Sequence, residues 1–103
     1  MPQQTLLAEA FKKWLASLET QQFSALTKLI FILEDLGHQI RMPHSKSLGA
    51  GLFELREPHY GLRAYYGFLK TGAILLLSGG NKHSQERDIK KAYQLLKQEI
   101  QNG

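Results

Sequence analysis

The apolar positions follow a helical period at the start of the chain. Leu6, Leu7, Ala10, Phe11, Trp14, Leu15 and Leu18 recur at spacings of mostly three and four, as on one apolar face of a helix, with Thr5 placed to cap it. A second helix is predicted from Thr20, its own candidate cap, with Phe23, Leu26, Ile30 and Leu33 on one stripe. Ala25, Leu29, Ile32 and Leu36 widen that stripe, so this helix is expected to be covered on more than one side. Gly37 stands where a helix ends in a left-handed residue. Joined by Glu19 and Thr20, the two helices predict an antiparallel hairpin.

Residues 38–51, HQIRMPHSKSLGAG, break the helical pattern with a proline and two glycines and read as a loop. From Leu52 the period falls to two: Phe53 and Leu55 point inward, Glu54 and Arg56 outward. After a turn around Pro58 to Gly61, Leu62, Ala64, Tyr66 and Phe68 share one face, and Arg63 and Tyr65 the other. Thr71-Gly72 suits a hairpin turn, and the unbroken apolar run from Ala73 to Leu77 predicts a central strand covered on both faces. Ser84 can then cap a helix with the stripe Ile89, Ala92, Tyr93, Leu96 and Ile100, with Glu86 and Asp88 favoured by the dipole in its first turn. The order α-α-β-β-β-α predicts an α+β fold, with an N-terminal helical hairpin packed on a small antiparallel β-sheet and a C-terminal helix.

At 103 residues the chain predicts one domain over 1–103. It contains no cysteine, which excludes disulfides, thiolate metal sites and a thiol nucleophile, and points to a reducing cytoplasm. No apolar run approaches the ~20 residues of a membrane span, and no basic region precedes the first apolar stretch, so neither membrane insertion nor a secretory signal is expected. The net charge of +4 is uneven: five basic against four acidic residues over 1–50, eight against five over 51–103. Such an excess draws a protein toward polyanions, nucleic acid among them.

The outward face of the predicted sheet is where these charges gather. Arg56 and Arg63 fall on neighbouring strands with Tyr65 two residues along, and the last strand leads through Ser78 to Ser84 into a helix N-terminus that carries Lys82 and His83. Backbone amides there favour anions. Together these groups can grip a phosphodiester and stabilise charge that grows during its cleavage. Structural readings stand beside each: Arg56 can pair with Glu54 or Glu57 on a solvated strand, Tyr65 and Tyr66 can be packing residues, and Gly79-Gly80 can mark a strand exit. His83 beside Ser84 lacks the third member of a nucleophilic triad. The segment from Gly80 to Ser84 lacks the glycine spacing of a phosphate-binding loop. The histidines at 38, 44, 59 and 83 have no short metal-ligand spacing. Lys12-Lys13 and Lys90-Lys91 read as solvated helix faces.

Four segments in order carry a family likeness: Gly51-Leu52-Phe53-Glu54-Leu55-Arg56, Gly61-Leu62-Arg63-Ala64-Tyr65-Tyr66, Leu75-Leu76-Leu77-Ser78-Gly79-Gly80-Asn81-Lys82, and Gln85-Glu86-Arg87-Asp88-Ile89-Lys90-Lys91-Ala92. With Phe11-x-x-Trp14-Leu15-x-x-Leu18 and Lys46-x-Leu48, the chain resembles the RelE/ParE toxin superfamily in its HigB-like, addiction module killer protein branch. The resemblance implies the toxin of a type II toxin–antitoxin pair. It would act as a ribosome-dependent mRNA endoribonuclease, without metal or cofactor, in which the ribose 2′-hydroxyl attacks the adjacent phosphate. Its implied partners are a cognate antitoxin, often of helix-turn-helix type, the ribosome and mRNA. ParE-type relatives instead bind DNA gyrase, and a degenerate toxin would keep antitoxin binding alone. Arg63 matches the family's strand arginine and Lys82 the second cation. Arg56, with Lys46 and Arg41 of the preceding loop, is a candidate for binding RNA, while Gln85 and Asp88 match the branch motif and can equally serve the helix start. Ile89 replaces the C-terminal tyrosine of the best-known RelE nucleases, and Glu54 stands where they carry lysine. That leaves His83 or Tyr65 as candidate general base. The short stretch before Phe11 predicts loss of the edge strand that opens this fold.

Overall fold

The computed structural model describes residues 4–102, with side chains described through residue 99. The predicted stripe residue Ile100 therefore lies outside the described side chains, as do Met1 to Gln3 altogether. The elements are β1 (Thr5–Leu7), α1 (Glu9–Ala16), α2 (Thr20–Leu36), a 3-10 turn (Gly37–Gln39), β2 (Ser45–Gly49), β3 (Leu52–Glu57), β4 (Leu62–Phe68), β5 (Ile74–Asn81) and α3 (Gln85–Asn102). The strands form one sheet in the order β1-β5-β4-β3-β2. β1 runs parallel to β5, and every other pair is antiparallel. The α+β class stands, but the sheet is mixed and has five strands rather than three.

Both added strands are edges, held by backbone pairing that local periodicity does not register. Thr5–Leu7 pairs with Ile74–Leu76, and the Ala8 amide continues the ladder to the Leu76 carbonyl at 2.9 Å. The opening strand is thus present, and α1 begins only at Glu9. Leu6 and Leu7 stay partly exposed rather than joining a helical stripe, and the Thr5 hydroxyl donates to Glu34 on α2 instead of capping α1. β2 falls within the predicted loop and pairs with β3 through Ser45, Lys46 and Ser47. Gly79 and Gly80 lie inside β5, not at its exit.

The helical hairpin forms with a different cap. Glu19, not Thr20, is the N-cap of α2: its carboxylate accepts from the Gln22 amide, while the Gln22 side chain accepts from the Glu19 amide. Such a reciprocal box satisfies two donors that the helix leaves open. Gly37 ends α2 at φ 54°, a conformation disfavoured for residues with a Cβ. Although α2 reads as apolar nearly all round, it buries one stripe, Leu26, Leu29 and Leu33, and leaves Phe23 and Phe31 exposed.

The sheet carries a core on each face. On one side Phe11, Leu26, Leu29, Leu33 and Ile40 pack on Leu55, Leu62, Ala64, Tyr66, Ile74 and Leu76. On the other, Ala92 and Leu96 of α3 pack on Leu52, Tyr65, Leu75 and Leu77. β5 is therefore covered on both faces, as its apolar run predicts. Full burial of each leucine, isoleucine or phenylalanine side chain among them contributes roughly 1.5–3 kcal/mol. α3 crosses the sheet from its start beside Gly80 toward Gly67 and Gly51, where Leu96 lies. Arg56 and Arg63 sit beyond its first turn.

Candidate functional site

Strand register brings the two arginines together. Arg56 on β3 is the direct Cα partner of Arg63 on β4, and directly paired residues in adjacent strands point to the same face. Their side chains are 29% and 18% exposed. One row further in on that face, Glu54 pairs with Tyr65, and Lys46 on the edge strand pairs with Glu54.

Glu54 points to the face predicted for it but does not meet solvent there. Its side chain is 1% exposed, with Oε1 3.0 Å from Arg56 Nε and 3.9 Å from Arg63 Nη1. Its other oxygen, Oε2, accepts from Gln85 Nε2 at 2.6 Å. Arg56 therefore pairs with Glu54, but with a buried carboxylate rather than on a solvated strand.

Tyr65 also points to this face, but it is fully buried beneath α3. Its hydroxyl has no partner of hydrogen-bonding geometry. Burial pushes the phenol well above its ordinary value, and the adjacent Glu54 carboxylate pushes the same way. A buried phenol that resists ionisation is a poor proton acceptor, so Tyr65 drops out as a candidate base. Burial raises Tyr66 too, against a smaller opposing effect from its 2.6 Å hydrogen bond with Ser45. As pH rises past about 10, the unfolded chain releases these protons while the native one keeps them, so stability falls. Tyr65→Phe removes one share of that loss, and its stability should decline less steeply than the parent's between roughly pH 9 and 11 in denaturant titrations. Parallel alkaline curves would show that Tyr65 ionises in the native state after all.

Arg56, Arg63 and Lys82 line one open groove of about 590 Å³, whose rim includes His59 and Tyr60. Lys82 reaches it because Asn81 closes a tight turn after β5, its Oδ1 accepting from the His83 amide at 2.8 Å and the Ser84 amide at 3.2 Å. The same turn sends His83 into a neighbouring depression of about 430 Å³ with Ser84, Glu86 and Arg87. Adjacent in sequence, Lys82 and His83 serve different surfaces. Ser84 sits at the predicted cap position, but its hydroxyl bonds the Asp88 carboxylate rather than a helix amide. Asp88 and Gln85 thus brace the start of α3.

Two further candidates lie apart. Lys46 is exposed on the same sheet face, one strand out from Glu54. Arg41 donates to the His38 carbonyl at 2.8 Å and the Ile40 carbonyl at 3.1 Å, and lines a pocket of about 210 Å³ with Ser45, Tyr66 and Phe68. Tyr66 belongs to the core on the α1/α2 face, so Arg41 does not join the groove.

His59 is the residue the sequence pattern did not single out. Its turn is held by the Glu57 carboxylate, which accepts from the His59 amide at 2.8 Å and the Tyr60 amide at 2.7 Å. Its position in the turn joining the two arginine-bearing strands is the signal that could have found it. Among the described residues, no three His, Asp or Glu side chains are grouped as metal ligands would be, and no helix is long and apolar enough to cross a membrane.

The model of the family described as "Phage derived protein Gp49-like (DUF891)" matches residues 13–98. An uncharacterized protein of Haemophilus influenzae is 43% identical over 56 residues, which are 53% of this chain and 56% of that relative's length. Among solved structures, a mutant of the Escherichia coli toxin RelE in the free state superposes with a TM-score of 0.74 at 15% identity, covering 91% of this chain and 97% of that one. The RelE–RelB complex of Pyrococcus horikoshii matches with a TM-score of 0.60 at 19% identity, over 80% of this chain and 97% of that one. A RelBE toxin–antitoxin complex of Mycobacterium tuberculosis gives 0.64 at 17%, over 80% and 100%. At these identities the likeness is one of fold.

Proposed function

The chain belongs to the Gp49-like family and has the fold of the RelE toxins, and on that footing we propose that it is the toxin of a toxin–antitoxin pair, of HigB-like type, that cuts mRNA on the ribosome. The observation that carries this reading is the meeting of Arg56, Arg63 and Lys82, from three separate segments, in one open groove. A phosphodiester held there meets two guanidiniums able to bind its oxygens bidentately and one ammonium. In the reaction the ribose 2′-oxygen attacks the adjacent phosphorus and the bond to the 5′-oxygen breaks, leaving a 2′,3′-cyclic phosphate and, once the leaving oxygen has taken a proton from water, a 5′-hydroxyl. The three cations stabilise the negative charge that accumulates on the phosphorane.

The proton of the 2′-hydroxyl goes to His59, which stands at the groove, in place of His83 and Tyr65. Imidazole is the side chain best suited to carry protons near neutral pH. The partner is an antitoxin that covers the groove with acidic side chains. The Mycobacterium toxin–antitoxin complex and the Pyrococcus RelE–RelB complex support such a pairing.

Inducing the chain without its partner and mapping message ends by primer extension tests this reading. Cuts in phase with codons on translated messages are expected, and His59→Gln should slow them by about 10²-fold while His83→Gln leaves them unchanged. Growth arrest with intact messages and stalled replication would overturn the nuclease reading in favour of DNA gyrase as target.

A further inference from the structure

We infer that Glu54 is a positioning residue whose buried carboxylate aims the guanidiniums of Arg56 and Arg63 into the groove as one phosphate clamp. This rests on reading the groove as a phosphate site. Two like charges placed directly opposite across strands repel, and Arg56 and Arg63 are such a pair. Free guanidiniums in that position would swing apart into solvent. Glu54 lies on the same face of β3, two residues before Arg56, and sets a negative charge behind both.

The carboxylate is itself fixed. Gln85, the first residue of α3, holds Oε2 at 2.6 Å, which leaves Oε1 for the arginines. Burying a carboxylate is unfavourable unless it is paired, and at 1% exposure Glu54 takes its pairing from this one cluster. Packing alone does not call for a charge there, since Leu52, two residues earlier on the same face, fills its place with an apolar side chain. Because both of its oxygens are committed inward, Glu54 is also not placed to take a substrate proton.

The contact decides which part of each arginine is on offer. Arg56 Nε lies 3.0 Å from Glu54 Oε1, an ion pair without hydrogen-bond alignment, and Arg63 approaches the same oxygen with Nη1 at 3.9 Å while its own Nε is buried. Both residues line the groove. Arg56, met by Glu54 at Nε, has both terminal amino groups, the fork that binds phosphate oxygens in pairs, outside that contact, and Arg63 has Nη2 outside it.

Positioning and bulk charge predict opposite signs for Glu54→Gln. The substitution removes one negative charge beside the groove, so charge alone would tighten anion binding, whereas loss of the anchor loosens it. The experiment is a titration of the full 15N-labelled chain with inorganic phosphate, read on the arginine Nε–Hε signals. Glu54→Gln should move the Arg56 signal to the position of a free arginine and weaken phosphate binding about tenfold. Gln85→Ala, which keeps the charge but frees Oε2, should give a smaller loss of the same kind, and it decides the matter if Glu54→Gln does not fold. Phosphate affinity that is unchanged or tighter in both variants overturns the positioning role. If phosphate moves no arginine signal in the parent, the groove reading itself fails. The positioning role is then judged on the Arg56 signal alone, supported if the variant shifts it and refuted if it does not.

Discussion

Arg63→Ala lowers message cleavage by about 10²–10³-fold, the loss expected when one donor to a developing oxyanion is removed, and the chain stays folded. The first half follows from position: Arg63 is opposite Arg56 and beside Gly80 of β5, and lines the groove together with Arg56 and Lys82. The second half follows from the pairing of Glu54. With Arg63 gone, the buried carboxylate keeps Arg56 at 3.0 Å and Gln85 at 2.6 Å, so no charge is left unpaired. Arg56→Ala removes the nearer partner and should cost more stability for a similar loss of activity. Lys82→Ala acts through an exposed ammonium and should be the mildest of the three. Growth arrest on induction, primer extension and thermal melting of the same variants separate these effects. Undiminished killing by Arg63→Ala combined with Lys82→Ala would remove the groove from the mechanism.

Gly79→Ala destabilises the fold by about 1–3 kcal/mol, the usual range for forcing an added group into a packed site. A methyl at Gly79 would overlap the six-membered ring of Trp14, which lies directly over that position of β5. Trp14 in turn stacks at an angle on Phe11, 5.6 Å between ring centroids, and Phe11 is fully buried in the larger core. Moving the indole away gives up its packing against that core. For a domain of this size, 1 kcal/mol corresponds to roughly 4–8 °C in melting temperature. Trp14 is the chain's one tryptophan, so its fluorescence reports the displacement directly. Gly80→Ala meets instead the ends of the Ser84 and Asp88 side chains, which can turn aside, so it should cost less. An unchanged melting point and emission maximum for Gly79→Ala would mean that the ring does not rest on the strand.

The same two glycines show what the sequence could and could not reveal. Alternation places Arg56 and Arg63 outward and Leu55, Ala64 and Tyr66 inward because the side-chain period of a strand is two, and every one of these faces holds. The face says nothing about what lies over it. Glu54 and Tyr65 point outward like Arg56 and Arg63, yet α3 crosses the first two and stops short of the second, a matter of where Gln85 lands in space. β1 and β2 escape notice because their stability comes from ladders to β5 and β3, not from Thr5–Leu7 or Ser45–Gly49 themselves. His59 looks like an ordinary turn residue until the groove around it is closed by Lys82, which is 23 positions further along the chain.

Glu54, Arg56, Arg63 and Gln85 also make the groove and the sheet one mechanical unit. Arg56 and Arg63 are carried by β3 and β4, each paired on both of its edges, and their orientation is tied to the first residue of a helix that packs on the sheet through Ala92 and Leu96. Charges held on such elements need little rearrangement when phosphate arrives, which is the condition for strong electrostatic stabilisation of a transition state.

The most direct test is cleavage in a purified system: ribosomes stalled on a defined message with an open decoding site, mixed with the chain and with its Arg63→Ala variant. A single cut within the decoding-site codon, ending in a 2′,3′-cyclic phosphate and reduced at least about 10²-fold by the substitution, is expected. Message that stays whole with the parent chain, or is cut equally well by the variant, would contradict the role given to the arginine groove.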